Sequence, residues 1–440
     1  MTRRASLPAV GLHRPDLLRT LERFRQDDAD WRAGRTWSLV YHAGDEHHDL
    51  LAEVHRMYAA ENGLSPTAFP SLRQMESEVV AMVLDLVRGP DTAGGTMASG
   101  GTESIMLAVL AHREADRAEG RDRRRVVVPT TAHPAFRRAC HYFDLEVVAA
   151  PIGPDYRADV HAIEELATAE DTLLVAASAP CFPYGVVDPI GELGVLALDR
   201  GVGLHIDGCL GGFVLSMARR WGRTVPDFDF SVPGVSSMSV DLHKYGYGPK
   251  GTSTVLYRDR ALRRHQYFVD PAWPGGALAS PTMVGTRPGG ALAGAWAALM
   301  ALGEDGYRRL YESVLATADA LMRGIEAIDH LHVLGEPAMS VFAFGSDAFS
   351  IHDVGDHLAA EGWRMDRQQD PDCLHLIVNP GHATVADRFL DDLAAACRAA
   401  EAEPGPTDRG AILYGVTSDV AQGADVDATL RDFIDHSYEI

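Results

Sequence analysis

The sequence of 440 residues predicts an α/β protein, with a mostly parallel sheet in a large domain and a smaller α+β domain after it. Two patterns predict this class. Short β-branched or apolar runs alternate with helix-like stretches, which favours a parallel sheet covered by helices on both faces. From about Gly290 the pattern changes to two long helices followed by alternating stretches. The predicted strands of the sheet are Arg125–Val128, Glu146–Ala149, Leu173–Ala177, Leu204–Ile206 and Val235–Val240.

Three segments are expected along the chain: an N-terminal arm at 1–75, a large domain at 76–290 and a small C-terminal domain at 291–440. The stretch from Gly63 to Pro70 is rich in Gly and Pro and is predicted to be a loop. Ser71 is placed to cap the helix that follows, because its hydroxyl can accept a free helix N–H. Further on we expect helices at Ala291–Leu302, Tyr307–Ile328 and Val385–Ala400, alternating stretches at Val341–Phe344 and Leu374–Val378, and a linker-like segment from Glu401 to Asp408.

The composition excludes some classes of partner. With 40 Lys and Arg against 62 Asp and Glu, the formal net charge is −22. A surface this acidic repels phosphate backbones and anionic membranes, so no nucleic-acid partner is expected. The five cysteines are odd in number and form no C-x-x-C pair, which suits free thiols in a reducing cytoplasm. No apolar run approaches the ~20 residues that span a bilayer, and no apolar secretion signal follows Met1–Ala5, so we expect a cytoplasmic protein without a membrane anchor.

Three histidines lie close together in the N-terminal segment, at His42, His47 and His48. Such a group can hold a metal ion. The carboxylates between and beside them suit the solvated start of a helix better, and we therefore predict no metal site.

Two residues carry the strongest chemical signal. Asp207 follows the strand at Leu204–Ile206, and a carboxylate there is costly to bury unless it has a partner. A protonated pyridine nitrogen is such a partner, and a buried salt bridge without a catalytic role is the alternative. Lys244 follows His243 after the strand at Val235–Val240. An amine in a desolvated pocket has a lowered pKa and can form a Schiff base with an aldehyde, whereas an ordinary surface lysine is the alternative.

Two further features precede them in the chain. Gly101 and Thr102 introduce the helical run Ile105–Leu110, so that the backbone and the helix N-terminus can bind a phosphate. A glycine turn with a capping box is the alternative. His133 lies in the loop after the strand at Arg125–Val128, where α/β sheets bind ligands, and its flat ring can stack on a flat cofactor. A helix-capping or surface histidine is the alternative there.

The order of these features favours a single interpretation. A phosphate-binding loop, a stacking histidine, a strand-end aspartate and then a lysine are the parts of a site for pyridoxal phosphate (PLP). Each part has another explanation when it is taken alone. Their combination predicts an enzyme that uses PLP, held by Lys244 and Asp207, as an electron sink.

Longer stretches resemble one family, the sphingosine-1-phosphate lyases, which belong to the fold-type I PLP enzymes together with the group II amino-acid decarboxylases. The similarity runs from about Tyr41 to the segment Leu413–Gly415, and the lysine motif is closer to the lyases than to the decarboxylases. The resemblance implies an aspartate aminotransferase-like large domain with a seven-stranded sheet. It also implies a homodimer with shared active sites, into which Thr286 and Arg287 reach across. The matching stretches are SGGTES at 99–104, HPAF at 133–136, HIDGCLGGF at 205–213, HKYGYGPKG at 243–251 and SPTMVGTRPGG at 280–290.

The resemblance also assigns site residues. For a substrate phosphate the lyases use a tyrosine, an asparagine, a histidine, a serine and the second lysine of the lysine motif. Ser65 stands where the family has the histidine, and Thr286 stands where it has the serine. The loss of an imidazolium removes a contact worth ~1.5–3 kcal/mol where it forms, so we expect a weakened or altered phosphate pocket. The matching substrate residues are Tyr41, Asn62 and Lys250, and the cofactor residues are Gly101, Thr102, His133, Asp207, His243, Lys244 and Thr286.

The implied reaction is a retro-aldol cleavage of a small-molecule β-hydroxy amine into an aldehyde and a smaller amine. The substrate amine displaces Lys244, and Tyr247 or Lys250 handles a proton or binds an anion. The first alternative is an α-amino-acid decarboxylase, with a carboxylate clamp from Lys250 and Arg287. The second is a protein that binds PLP without turnover, against which the complete pair of Lys244 and Asp207 argues.

Overall fold

A computed structural model describes residues 6–402 and 426–437. Met1–Ala5, most of the predicted linker from Glu401 to Asp408, and the Leu413–Gly415 end of the resemblance lie outside the described residues. The described residues divide into two compact units. The larger contains residues 41–344 and 375–383, and the smaller contains the residues before 41, those at 345–374 and those after 383. The boundaries predicted at residues 75 and 290 stay a prediction.

The larger unit is built on a seven-stranded sheet in the described part of the chain. Its strands are β1 (Gly94–Ala98), β2 (Arg125–Pro129), β3 (Glu146–Ala150), β4 (Thr172–Ser178), β5 (Gly203–Asp207), β6 (Ser237–Asp241) and β7 (Ser253–Tyr257). They lie in the order β1-β7-β6-β5-β4-β2-β3. Strands β2 to β6 pair in parallel, whereas β7 is antiparallel to both β6 and β1. The predicted mostly parallel sheet is therefore confirmed.

The sequence patterns did not predict β1 and β7. Strand β1 is fully buried but reads Gly-Gly-Thr-Met-Ala, which lacks β-branched residues apart from Thr96. A Cβ at Gly95 would lie 2.8 Å from the carbonyl oxygen of Val255 and 2.6 Å from Cδ2 of Leu256 on β7. The close approach of these two strands thus requires a glycine at position 95. The same glycine lowers the strand propensity of the segment, which is why the sequence pattern does not predict β1.

Helices connect the strands and flank the sheet. They are α1 (Arg14–Phe24), α2 (Asp45–Met57), α3 (Pro70–Leu86), α4 (Gly101–Ala118), α5 (Ala135–Phe143), α6 (Val160–Leu166), α7 (Ile190–Arg200), α8 (Gly211–Arg220), α9 (Arg260–Arg264), α10 (Gly289–Glu326), α11 (Ile351–Ala360), α12 (Ala386–Ala402) and α13 (Val426–Ser437), with short 3₁₀ helices at Arg25–Asp27, Trp31–Ala33 and Pro380–Thr384. The β2, β4, α4 and α5 side chains form a buried core that includes Val126, Leu174, Ile105 and Phe136. This core fixes the loops after β1 and β2, where the site lies.

One helix start differs from the prediction. Ser71 does not cap α3, because the helix already begins at Pro70 with Phe69 as its cap residue. Proline is favoured at a first helical position, since the N–H that it lacks would have no helical partner. The two helices predicted after Gly290 are present: α10 consists of two helical stretches that meet at a kink at Gly303, where φ is 57° and ψ is −178°.

The remaining strands form smaller sheets. Strands β8 (Phe268–Asp270) and β9 (Leu278–Ser280) pair as an antiparallel ribbon. Strands β10 (Leu331–Val333), β11 (Val341–Ser346), β12 (Asp366–Gln368) and β13 (Cys373–Ile377) lie in the order β10-β11-β13-β12. In the smaller unit Trp37 packs on Trp363 and Phe389, with ring centroids 5.9 and 4.7 Å away. Among the described helices, none has the length and apolar character needed to cross a membrane.

Candidate active site

The carboxyl ends of the parallel strands bring two buried aspartates to one edge of the sheet. Asp207 ends β5 and Asp241 ends β6. Oδ1 of Asp207 accepts the backbone N–H of Cys209 at 3.1 Å and the hydroxyl of Ser239 at 3.3 Å. The carboxylate of Asp207 is therefore held in place, although it is 9% exposed. This edge is where α/β sheets bind ligands.

Lys244 lies beside the second of these aspartates. Its Nζ is 3.0 Å from Oδ2 of Asp241, a residue that is only 1% exposed. Burial alone would lower the pKa of Lys244, but the Asp241 carboxylate outweighs burial and raises it well above its ordinary value. Burial would likewise raise the pKa of Asp241, yet the Lys244 ammonium holds it well below its usual range. The prediction that desolvation lowers the pKa of this lysine was therefore wrong, because a buried counter-ion lies next to it.

The glycine loop places the N-terminus of α4 against this pair. The helix begins at Gly101, and its cap residue Gly100 makes no side-chain hydrogen bond. A Cβ at Gly101 would lie 2.8 Å from Sγ of Cys209 and 3.0 Å from Oδ2 of Asp241. A Cβ at Gly100 would lie 3.3 Å from Cε1 of His243. The two glycines therefore allow the helix N-terminus, which favours a phosphate, to approach His243 and Asp241.

The capping-box alternative is also partly present. Oε2 of Glu103 accepts the backbone N–H of Ser99 at 2.6 Å. Its other oxygen accepts the N–H groups of Met283 and Val284 at 3.0 and 3.4 Å. Glu103 thus joins the glycine loop to the segment that leads to Thr286.

His133 has two roles available in this geometry. Its Nδ1 accepts the backbone N–H of Ala135 at 3.1 Å, so the helix-capping alternative is present. Burial lowers the pKa of His133, with Asp207 opposing the change and Lys244 adding to it. The lowered pKa favours the uncharged imidazole, whose flat ring suits stacking on a flat ligand.

Tyr247 combines a strained backbone with a buried hydroxyl. Its φ is 51°, in the left-handed region that non-glycine residues rarely adopt. The side chain is 2% exposed, and its hydroxyl has no hydrogen-bond partner among the described residues. Its carbonyl oxygen lies 2.9 Å from Nε2 of His47. Strain together with an unsatisfied buried donor is typical of a functional position.

The predicted substrate residues form two groups within the chain. Nζ of Lys250 lies 5.2 Å from the centroid of the Tyr41 ring, which packs edge-on against Tyr245 at 5.0 Å. Burial and the nearby Lys244 lower the pKa of Lys250. This group lies beside Lys244, since Tyr41 is among the groups that act on the pKa of that lysine.

The second group surrounds the segment at 286–288. Asn62 pairs with Pro288 in an isolated bridge, and its Oδ1 accepts the N–H of Leu64 at 3.1 Å. Oγ of Ser65 accepts the N–H of Ala68 at 3.3 Å, and Ser65 lines a cavity of about 430 Å³. Thr286 is exposed. The backbone thus brings Asn62 to the segment that carries Thr286, and Ser65 follows Asn62 three positions later in the chain.

Arg287 is engaged inside the chain. Its guanidinium donates to both carboxylate oxygens of Glu76, at 2.6 and 2.9 Å, and the residue is 8% exposed. It also donates to the carbonyl oxygen of Met97 at 3.3 Å. Glu76 neutralises the charge that a carboxylate clamp with Lys250 would need.

The composition of the chain also sets both lysines apart. Among its 40 Lys and Arg residues, Lys244 and Lys250 are the only lysines. Asp241 was present in the lysine motif but received no role, although it ends a strand just as Asp207 does. The predicted histidine cluster forms no metal-binding group, and no other group of His, Cys, Asp and Glu in the described ranges does so.

The fold and this site define a class of enzyme. The pyridoxal-dependent decarboxylase conserved domain matches residues 31–346. The chain is 41% identical to a sphingosine-1-phosphate lyase of Arabidopsis thaliana, over 98% of this chain and 81% of the relative, and 38% identical to one of Dictyostelium discoideum over the same shares. The chain therefore belongs to the sphingosine-1-phosphate lyase family, and it is a PLP-dependent lyase.

Solved structures agree with this assignment. A sphingosine-1-phosphate lyase of Burkholderia pseudomallei K96243 superposes with a TM-score of 0.91 at 38% identity, covering 99% of this chain and 98% of that one. A glutamate decarboxylase of Lactobacillus brevis CGMCC 1306, with a TM-score of 0.81 at 19% identity, shares the fold. The predicted fold class, with its large sheet and smaller C-terminal part, is confirmed.

The residues present fit pyridoxal phosphate. An amine at Lys244 is available for the aldehyde, and a fixed carboxylate at Asp207 is available for the pyridine nitrogen. The N-terminus of α4 at Gly101 and the imidazole of His243 are available for the phosphate. The flat ring of His133 is available for stacking.

Proposed function

We propose that the chain cleaves the carbon–carbon bond of a phosphorylated β-hydroxy amine, giving an aldehyde and a smaller phosphorylated amine. The observation that carries this proposal is the position of Lys250 and Tyr41 beside the Lys244–Asp241 pair. Lys250 supplies a second amine, with a lowered pKa, next to the amine of Lys244 that holds the cofactor. Sphingosine-1-phosphate, named in the relatives, is the first substrate to test.

The cofactor supplies an electron sink for the pair released when the Cα–Cβ bond breaks. When the cofactor is bound, the carboxylate of Asp207 would favour a proton on the cofactor's ring nitrogen, and the flat ring of His133 would be available to stack on the cofactor. Lys250 has a larger neutral fraction at pH 7 than an ordinary lysine, so it can accept the proton of the β-hydroxyl. The unsatisfied hydroxyl of Tyr247 is the second candidate for that proton transfer.

The substrate phosphate is assigned to Tyr41, Asn62, Ser65, Lys250 and Thr286. In this chain the five residues lie in the two groups described above. A homodimer with shared active sites would allow the group of one chain to complete the site of another. Exposed apolar side chains at Leu64, Met283 and Val284, which are 51%, 42% and 41% exposed, support an interface beside the second group.

The dimer and the location of the protein are separate proposals. Light scattering should give twice the chain mass of 47.6 kDa. Mixing Lys244→Ala chains with Asn62→Ala chains should restore part of the activity if sites are shared, and no recovery would contradict sharing. The five free buried cysteines support a reducing, cytoplasmic location.

The function is tested by a screen of the PLP-loaded protein. Phosphorylated long-chain bases, β-hydroxy amino acids and common amino acids are incubated separately, and the products are identified by mass. The proposal predicts an aldehyde and a phosphorylated amine from the first class. Release of carbon dioxide from an amino acid, with no aldehyde from any β-hydroxy amine, would support the decarboxylase alternative instead.

A further inference from the structure

Asp241 is the closest charged neighbour of Lys244, and it has been given no role so far. It lies three residues before the lysine, at the end of β6, and is paired in register with Ser253 on β7. Its carboxylate is 3.0 Å from Nζ of Lys244 and 3.5 Å from Nε2 of His243. Because a Cβ at Gly101 would lie 3.0 and 3.1 Å from its two oxygens, the start of α4 closes over it.

Several groups face the amine of Lys244 from neighbouring elements. They are Asp241, Cys209, Tyr41, Asp207, His133 and Lys250. The thiol of Cys209 is neutral, because burial raises its pKa well above the ordinary value. Asp241 is therefore the negative group at ion-pair distance from the lysine, and its burial keeps water from screening the interaction.

The ion pair of Lys244 and Asp241 is relevant to the exchange of a substrate amine for Lys244 on the cofactor. A lysine bonded to the cofactor would be displaced by a substrate amine, which enters as an ammonium ion and must lose a proton before it can attack. The lysine would leave as an amine and end as an ammonium ion. With the C=N nitrogen protonated before and after, one C=N bond would form at the substrate nitrogen and one would break at the lysine nitrogen, and the two hydrogens that the substrate nitrogen loses would equal the two that Lys244 gains.

We propose that Asp241 is a positioning residue that receives the displaced Lys244 as an ammonium ion and so drives the exchange towards bound substrate. The proposal rests on the function proposed above. Asp241 makes the released state of the lysine more favourable, and it returns the amine to the same place each time. An arginine in place of Lys244 could not take part in this exchange, because its side chain does not lose its proton in proteins.

The composition of the chain makes the proposal directly measurable. Lysine occurs only at Lys244 and Lys250, so full-length protein carrying ¹³C-labelled lysine gives two ε-carbon signals by nuclear magnetic resonance. Lys250→Arg removes one signal and so assigns both. A pH titration of the cofactor-free full chain then gives the pKa of each lysine without any substrate.

The expected result is a pKa for Lys244 above that of Lys250 in the wild type. Asp241→Asn should lower the pKa of Lys244 by at least about one unit, which is about tenfold in its neutral fraction. Asp207→Asn is the matched control, because it removes another buried carboxylate that acts less strongly on Lys244, and its shift should be smaller. An unchanged pKa in Asp241→Asn, or equal shifts in both variants, would overturn the proposal.

A second readout uses the cofactor. The PLP-loaded protein is titrated with ethanolamine phosphate, and displacement of the lysine is followed by absorbance across pH. Asp241→Asn should need about tenfold more amine for half displacement, whereas an unaltered titration would contradict the role. If Asp241→Asn does not fold, Asp241→Glu tests the same point, because it keeps the charge and should keep the pKa of Lys244 above that of Lys250. Neither measurement needs carbon–carbon cleavage, so a failed lyase assay would leave this result intact.

Discussion

Asp207 and Ser239 face each other across neighbouring parallel strands, and the hydroxyl of Ser239 donates to Oδ1 of Asp207 at 3.3 Å. The same oxygen accepts the N–H of Cys209. The carboxylate is thus oriented by the sheet itself before any ligand binds. Preorganised charge of this kind is a large contribution to catalysis, because it needs no reorganisation during the reaction.

Asp207→Asn should bind some PLP and lose most of its activity. The shape and the contact with Cys209 N–H can persist, but the charge that keeps the ring nitrogen protonated is removed. Cofactor content by absorbance and turnover of the best substrate measure the two effects. Activity within a few-fold of the wild type would mean that the ring is held protonated by another group.

Gly101→Ala should weaken cofactor binding. The added methyl group meets Cys209 Sγ at 2.8 Å and Asp241 Oδ2 at 3.0 Å, so the start of α4 must shift. Gly191→Ala is the control, because nothing lies within 4 Å of a Cβ at that helical position. Titration with PLP should give about a tenfold or larger rise in Kd for the first variant only. Equal Kd values for both variants would show that the loop does not position the phosphate.

Ser65→His should raise the selectivity for phosphorylated over unphosphorylated amines. The substitution restores the imidazole that the lyases carry at this position. A gain of ~1.4 kcal/mol appears as about tenfold in relative kcat/KM. The opposite result is a wild type that already turns over sphingosine-1-phosphate as fast as a dedicated lyase, with no effect of the substitution. That result would contradict an altered phosphate pocket.

The stability of the chain should fall in acid because of two buried histidines. Burial lowers the pKa of His112 from 6.5 to about 4 and that of His205 to about 3. The unfolded chain therefore binds protons first, so this stability is complete above about pH 6.5 and is lost as the pH falls towards the folded-state values. Between about pH 7 and pH 5, the free energy of unfolding in urea should fall by about 1–2 kcal/mol less in His112→Gln than in the wild type.

A surface histidine provides the control for that titration. The side chain of His161 is 81% exposed, so His161→Gln should lose as much stability as the wild type over the same pH range. Identical losses in all three proteins would show that the burial of His112 does not govern the acid response.

Sequence patterns were sufficient for features set by local chemistry. A short apolar run ending in Asp207 predicts both a strand and a buried carboxylate, and the glycine loop predicts the start of a helix. The prediction of a lowered pKa for Lys244 was wrong, because the pKa depends on Asp241, which lies 3.0 Å away only in the folded chain. The pairing of Arg287 with Glu76 joins residues 211 positions apart, and no local pattern predicts it.

The central claim is that Lys244 holds the cofactor, and peptide mapping after borohydride reduction tests it most directly. The chain has only two lysines, so only two lysine side chains can carry a reduced PLP group. The account predicts the group on the peptide that carries Lys244, and a folded Lys244→Ala protein that traps none and has no turnover. A reduced group on Lys250, or turnover retained by Lys244→Ala, would contradict it.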